Sequence, residues 1–559
     1  MENQANKVFV ISLDGATWDV LRPLMAQGCL PNLRHMLQSS LTAELESVVP
    51  PVTAPAWTSF MTGKNPSKHG IFDFTRFDGQ DYQWKLNNSQ HIRSKTVWQI
   101  LSEKGKRVVV LNLPYTYPTY PVNGVMVSGW DAPTMSSFTY PEELGKKIFE
   151  IIPDYGSTLD LSLWNYLPAD SDTEFDRFTD KLLRSFEQGK KLATHFLNHE
   201  QWDVFMVHFQ QTDWIQHKLW GYIERACANG NDKSPRLERV RECYRTFDRH
   251  VGELLGEVAP LKPTTIILSD HGFGASRGSI CPNHLLNELG YYQLEQQADN
   301  PLKSLFKHSR FGFMRKLYRS MRNTKNSLQG REAVKKFKSW ADMANDTIPR
   351  QKVPIDWSRT KAVLAAGSEN AFIYVNLIGR GPLGCVQPGE EYERLVSELI
   401  AKFLEIRHPR TREKLIVKAA RGSDIYFDVA DGVLLPDIVL VPVEGYGFSS
   451  MLSDIFVQES GEEGCHRHNG VVFLQGPELM REVKNFRPNL IDITPTVLHL
   501  IGLPVPADMD GRVLEEIFVQ PPDVRYEDVD NSVVKEAQEY TGEEAELIEQ
   551  RLKGLGYVE

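Results

Sequence analysis

The sequence predicts an α/β fold: a three-layer α/β/α sandwich with a mostly parallel central sheet and inserted cap elements. Two observations carry the prediction. Short, almost wholly apolar runs at residues 8–13, 107–112, 202–209 and 264–268 have the length and β-branched content of strands buried on both faces. Segments of helical period separate them, as in βαβ crossovers. The chain of 559 residues is ample for one large α/β domain with insertions.

Taken in order, residues 7–15 form a strand ending in Asp14-Gly15. Ligands of open α/β sheets bind beyond the carboxyl ends of the strands, so Asp14 stands at a functional position. Residues 18–37 read as helical, and residues 42–49 as a loop or strand. The stretch Pro50-Pro51-Val52-Thr53-Ala54-Pro55-Ala56-Trp57 is a proline-bracketed turn running into a helix. A helix over 96–105, a strand over 107–112 and a Pro- and Tyr-rich loop over 114–121 follow. Residues 175–197 place Phe178, Leu182, Phe186, Leu192 and Phe196 at helical spacing. The strand at 202–209 leads to Asp213, a helix occupies 236–255, and the strand at 264–270 ends in Ser269-Asp270-His271-Gly272. Further strands fall at 361–377, 433–443 and 470–474, and helices at 489–503 and 542–552. The organisation expected is one catalytic domain over 1–520, with a basic insertion at about 300–345, and an acidic tail over 521–559.

The insertion has its own composition. Twelve Lys and Arg residues lie between Lys303 and Lys338, with Glu332 the sole acid, and apolar residues are interleaved. It reads as a solvated helical face, a cap attracting an anionic substrate, or a patch touching anionic membrane. Trp130, Tyr115, Tyr117 and Trp164 are pocket candidates, although aromatic residues more often belong to the core. The acidic tail could pack on the body or mediate oligomer formation.

A net charge of −10 argues against a nucleic-acid polymer as partner. The six cysteines are scattered without a C-x-x-C pair and read as free thiols of a reducing compartment. No signal peptide and no apolar run of membrane-spanning length stands out, so a cytoplasmic location is expected.

Chemistry-bearing residues gather at the strand ends. Asp14 follows the first strand. Asp213 and His217 are at i and i+4, facing the same way if they open a helix. Asp270 and His271 end a strand at a sharp turn, and His466 precedes another strand. Thr53 sits just before a helix N-terminus, where an anion is well received. Thr53 alone reads as a helix cap, and each Asp or His alone reads as a turn former or a hydrogen-bonded structural residue. Together they suffice for two divalent cations. Imidazole mixed with carboxylate suits Zn²⁺ best, with Mn²⁺ and Fe²⁺ as alternatives.

The pattern resembles the alkaline phosphatase superfamily, nearest its type I phosphodiesterase/nucleotide pyrophosphatase branch. The resemblance rests on Leu13-Asp14-Gly15, Leu30-Pro31-Asn32-Leu33, Thr53-Ala54-Pro55, Thr62-Gly63, His69-Gly70-Ile71, Asp213 with His217, Ser269-Asp270-His271-Gly272, Gly464-Cys465-His466 and Asp492-Ile493-Thr494-Pro495-Thr496. It implies one cation held by Asp213, His217 and His466, and a second held by Asp14, Asp270 and His271, with Thr53 between them. It implies hydrolysis of a small anionic phosphoester through a phospho-threonine intermediate. Nucleotide pyrophosphatases of this branch carry an Asn-His pair where this chain has Ala56 and Trp57. The formylglycine pattern of sulfatases is missing. Phosphomonoester or phosphonate hydrolysis are alternatives at the same site, and a non-catalytic metal-binding or membrane-surface protein is the alternative of another class.

Overall fold

The computed structural model describes residues 6–133, 136–156, 171–295, 354–367, 369–450, 452, 456–459, 463–528, 538–555 and 557. The basic stretch at 303–338 and Trp164 lie outside the described residues.

In chain order, the elements that build the site begin with β1 (Val8–Leu13), α1 (Trp18–Ala26), β2 (Leu41–Glu46) and α2 (Thr53–Thr62). Next come β3 (Val108–Leu113), β4 (Gly124–Ser128), β5 (Thr139–Tyr140), α3 (Asp172–His199) and β6 (Val204–Phe209). Then follow α4 (Gln211–Ala228), α5 (Pro235–Val258), β7 (Thr264–Leu268) and β8 (Gly272–Ala275). The rest of the chain adds β9 (Ala362–Gly367), β10 (Ala371–Val375), α6 (Glu390–Leu404), β11 (Ile416–Arg421) and β12 (Ile438–Pro442). The last elements are β13 (Gly464–Arg467), β14 (Asn469–Gln475) and α7 (Gly542–Leu555).

Among the described residues, the largest sheet has eight strands in the order β2-β14-β7-β1-β6-β3-β4-β5. The five strands β7, β1, β6, β3 and β4 are parallel, and the edges are antiparallel. The apolar runs read from the sequence are its centre. β1 and β6 are buried at every residue, which requires cover on both faces. The helices supply it in two groups that pack among themselves. One contains α1, α3, α4, α5 and the helix Pro31–Ser39; the other contains α2 and the helices Val97–Glu103 and Ile493–Leu500.

Two readings are refined. The segment 18–37 is two helices, because Gly28 takes positive φ after Ala26 and Pro31 opens the second. The run 361–377 is a hairpin of β9 and β10, with polar residues at its turn. It belongs to a second, antiparallel sheet ordered β9-β10-β12-β11, backed by α6 and enclosing its own apolar core. None of the described helices is long and apolar enough to cross a membrane. The described tail residues, 538–555 and 557, pack on the body: Ile548, Leu552 and Tyr557 are buried in the main core.

The run Leu30-Pro31-Asn32-Leu33 acts as a structural lock. The Asp248 carboxylate of α5 accepts the backbone N–H groups of Asn32 (3.0 Å) and Leu33 (2.8 Å) and the Asn32 side-chain amide (2.9 Å). It caps the second helix from outside it. A Cβ at Gly252, one turn further along α5, would lie 2.3 Å from Asn32 Cγ, so only glycine lets the two helices approach this closely. Asp248→Ala removes the acceptor of the Asn32 and Leu33 backbone N–H groups, while the Asn32 amide keeps the Asp248 carbonyl (3.2 Å). A loss of about 3 kcal/mol of stability is expected, read as a lowered midpoint in urea unfolding.

Candidate two-cation site

The parallel strands bring three carboxyl ends to one edge. Asp14 follows β1, the turn into α4 follows β6, and Ser269-Asp270-His271 follows β7. β14 runs antiparallel, so its preceding residues arrive at the same edge. There β13 pairs with β8 in a register that sets His466 opposite Phe273. The His466 ring stacks on His271 with centroids 3.8 Å apart.

All seven residues expected from the sequence meet here, and two triplets result. Asp213, His217 and His466 offer one ligand atom each within 4.8 Å of one another, as do Asp14, Asp270 and His271. Asp213 lies in the first turn of α4 with His217 one turn on, as i and i+4 require. Asp213 Oδ1 is 3.4 Å from His217 Nε2 and 3.2 Å from His466 Nε2. His271 Nε2 is 3.4 Å from Asp14 Oδ1 and 3.3 Å from Asp270 Oδ2. Gly15 permits this crowding: its φ is +65°, and a Cβ would meet Phe273, Asp213 and His271 at 2.9–3.3 Å. Its N–H donates to Asp270 Oδ1 (3.2 Å).

Thr53 is the first residue of α2. Val52 holds the cap position and makes no side-chain cap bond, so the hydroxyl of Thr53 is not spent on capping. It donates to Asp14 Oδ1 (3.4 Å). In the first turn of α2 Pro55 has no N–H and the Ala56 N–H donates to the Val52 carbonyl (2.9 Å), so the amides of Thr53 and Ala54 are the ones a helix N-terminus offers an anion here. Two other motifs hold α2 in place. His69 Nε2 lies 2.8 Å from Ser59 Oγ, and Thr494 donates to the Phe60 carbonyl.

The donor set calls for cations. Asp213 Oδ1, Asp270 Oδ2 and His271 Nε2 are buried without a hydrogen-bond partner, and all three atoms point into the triplets. Buried polar atoms are rarely left so. Burial and the neighbouring Asp14 push the Asp270 carboxyl well above the usual carboxylate range. Burial would also raise Asp213, but His217 and His466 hold it well below that range. Burial would lower His466, yet Glu369, Asp213 and Asp14 push it up to about 9. Positive charge is what this cluster lacks. His466 Nδ1 lies 3.1 Å from the Pro51 carbonyl, which suits donation there, and its Nε2 faces His217 Nε2 at 2.9 Å.

Several participants escape sequence reasoning. The Trp57 indole N–H donates to Asp14 Oδ2 (2.8 Å), so the residue at the expected His position holds a ligand from behind. His208, on β6, lies 3.6 Å from the same oxygen; burial lowers its pKa, and Ser12 and Gln210 flank its ring. Glu369, between β9 and β10, is 3.4 Å from His466 Nδ1. Tyr557 donates its hydroxyl to Asp213 Oδ2 and interacts with Thr53. Burial and the Asp213 and Asp14 charges push that phenol well above its usual range, so it stays a donor. Short-range spacing signals none of these. Tyr115, Tyr117 and Trp130 are core residues.

The protein class so defined is the metal-dependent hydrolases of phosphoric esters within the alkaline phosphatase superfamily. The family model for type I phosphodiesterase/nucleotide pyrophosphatase matches residues 8–470, and the chain belongs to that family. Among solved structures, human ectonucleotide pyrophosphatase/phosphodiesterase 5 is 15% identical with a TM-score of 0.46. Phosphonoacetate hydrolase from Sinorhizobium meliloti 1021, in complex with phosphonoacetate, is 14% identical with a TM-score of 0.49. Each likeness covers 89% of this chain and 95% of the other. No match was found among curated proteins.

Purified protein is expected to bind two divalent cations per chain by elemental analysis. Trp57→Phe keeps the bulk and removes the donor to Asp14. A 10–100-fold weaker affinity is expected at the Asp14, Asp270 and His271 triplet, with the other triplet unaffected, by chelator competition.

Proposed function

We propose that the chain hydrolyses phosphodiesters with Thr53 as nucleophile, at a pair of zinc ions held by Asp213, His217 and His466 and by Asp14, Asp270 and His271. One observation carries the reading: the uncapped Thr53 hydroxyl stands at a helix N-terminus, 3.4 Å from a carboxylate that belongs to one of two buried ligand triplets.

The two cations would supply the charge that favours the threonine alkoxide and neutralises the phosphoryl oxygens. The protein does the rest. Asp14 Oδ1 accepts the Thr53 hydroxyl and fixes its direction, while Trp57 immobilises the other oxygen of the same carboxylate. The α2 N-terminus presents amide dipoles to the substrate anion. Attack of Thr53 Oγ on phosphorus forms one P–O bond as the bond to the leaving alcohol breaks. Water then cleaves the phospho-threonine and restores the hydroxyl.

Room for a substituted phosphate supports a diester. A cleft of about 660 Å³ is lined by His466 and Pro51, by Lys418 of the second sheet and Glu369 at its hairpin turn, and by Tyr446 and Arg467. Ala56 offers no polar atom to a phosphate oxygen, which argues against a strict copy of nucleotide pyrophosphatase binding. Six free cysteines fit a reducing, cytoplasmic setting. The 303–338 stretch is kept as a candidate contact with anionic membrane, supported by its charge alone.

Thr53→Ala is expected to lower kcat for an aryl phosphodiester by at least about 10³-fold with cation content unchanged. Wild-type turnover of the diester should exceed that of the matching monoester. Unchanged hydrolysis by the variant would overturn the nucleophile assignment.

A further inference from the structure

We propose that Tyr557, delivered by the C-terminal segment, is a positioning residue of the cation site: its hydroxyl holds Asp213 Oδ2 and so turns Asp213 Oδ1 toward His217 and His466. The proposal rests on the two-cation reading above and adds to it an element outside the matched family region, which ends at residue 470.

The contact is built, not incidental. Tyr557 is 5% exposed. Its hydroxyl donates to Asp213 Oδ2 and accepts from Gln210 Nε2 (3.3 Å). Its ring stacks on Trp130 at 5.7 Å and 21°, packs on Phe74 at 4.9 Å, and meets the His217 ring edge-on at 5.2 Å. The backbone is fixed as well, since the Tyr557 N–H donates to the Leu552 carbonyl (2.9 Å) just beyond α7.

Upstream anchors make the placement reproducible. The Arg551 guanidinium is buried and donates to the carbonyls of Trp130, Ala132 and Pro133. Tyr540 stacks on Tyr117 with planes 3° apart, and Glu539 pairs with Arg76. A segment held at three points along its length delivers one hydroxyl to one ligand oxygen.

The chemistry follows from carboxylate geometry. A carboxylate with both oxygens free can rotate about its Cβ–Cγ bond and chelate or drift. A donor on Oδ2 stops that rotation and leaves Oδ1, which is otherwise unpartnered, aimed at the two imidazoles. Hydrogen bonds behind a ligand set its direction and basicity.

The test uses full-length Tyr557→Phe, which keeps the ring packing and deletes only the hydroxyl. Wild type and variant are stripped with chelator and titrated with Zn²⁺ and with Co²⁺, whose visible spectrum reports the ligand field. The expected result is a 10–100-fold weaker affinity at one of the two sites with an altered Co²⁺ band, and an unchanged second site. Wild-type affinities and spectrum in the variant would overturn the role of Tyr557 alone. Faster diester hydrolysis by the variant would also overturn it, because the hydroxyl would then be occupying substrate space. Failure of wild type to take up a second cation would overturn the two-cation reading and this proposal with it.

Discussion

Asp14 is the residue on which the rest depends. Its backbone N–H donates to the Phe209 carbonyl at the end of β6 (3.1 Å), and its own carbonyl accepts the Thr212 hydroxyl at the start of α4 (2.6 Å). Its Oδ1 accepts from Thr53 and faces His271, and its Oδ2 accepts from Trp57. One buried carboxylate thus ties the sheet edge, the helix carrying Asp213 and His217 and the helix carrying the hydroxyl into one unit. Burying a carboxylate is costly unless its partners are well placed, and here those partners are the machinery.

Charge explains why the cluster takes this form. Three aspartates and three histidines share a volume from which water is largely excluded. Burial, with the repulsion of Asp14 added to it, holds the Asp270 carboxyl up. Around Asp213 the imidazoles dominate instead. The two triplets are therefore electrostatically unlike: one has a single carboxylate with two imidazoles, the other two carboxylates with a single imidazole. Glu369 adds a further negative group next to His466, so that triplet is answerable to the second sheet as well as the first.

Much of this was legible in the sequence, for physical reasons that can be named. Strands buried on both faces must be apolar throughout, so β1, β3, β6 and β7 announced themselves, and their carboxyl ends pointed to residues that now stand together in the two triplets. Asp213 and His217 were readable because a helix puts i and i+4 together. Legibility failed where partners are distant or local chemistry is ambiguous. Trp57 looked like the loss of an expected residue, yet its indole N–H reaches Asp14. Glu369 lies at the polar turn of a hairpin that reads as one strand over 361–377. Tyr557 carries no motif, and only the packing of α7 through Arg551 and Leu552 brings it to Asp213. His69 and Asn32, which looked like members of the motif set, are structural: one fixes α2 through Ser59, the other locks two helices through Asp248.

The separation of the ligands along the chain has a consequence for biosynthesis. Asp14, Asp270 and His271 have all been synthesised once the chain reaches β8, whereas the other triplet waits for His466 on β13. Domains fold as they emerge, amino-terminal parts first. A nascent chain therefore holds the makings of a one-ion centre well before it can hold two. The hydroxyl of Thr53 is already present during that interval, so β13 is the element whose arrival turns a single triplet into a pair.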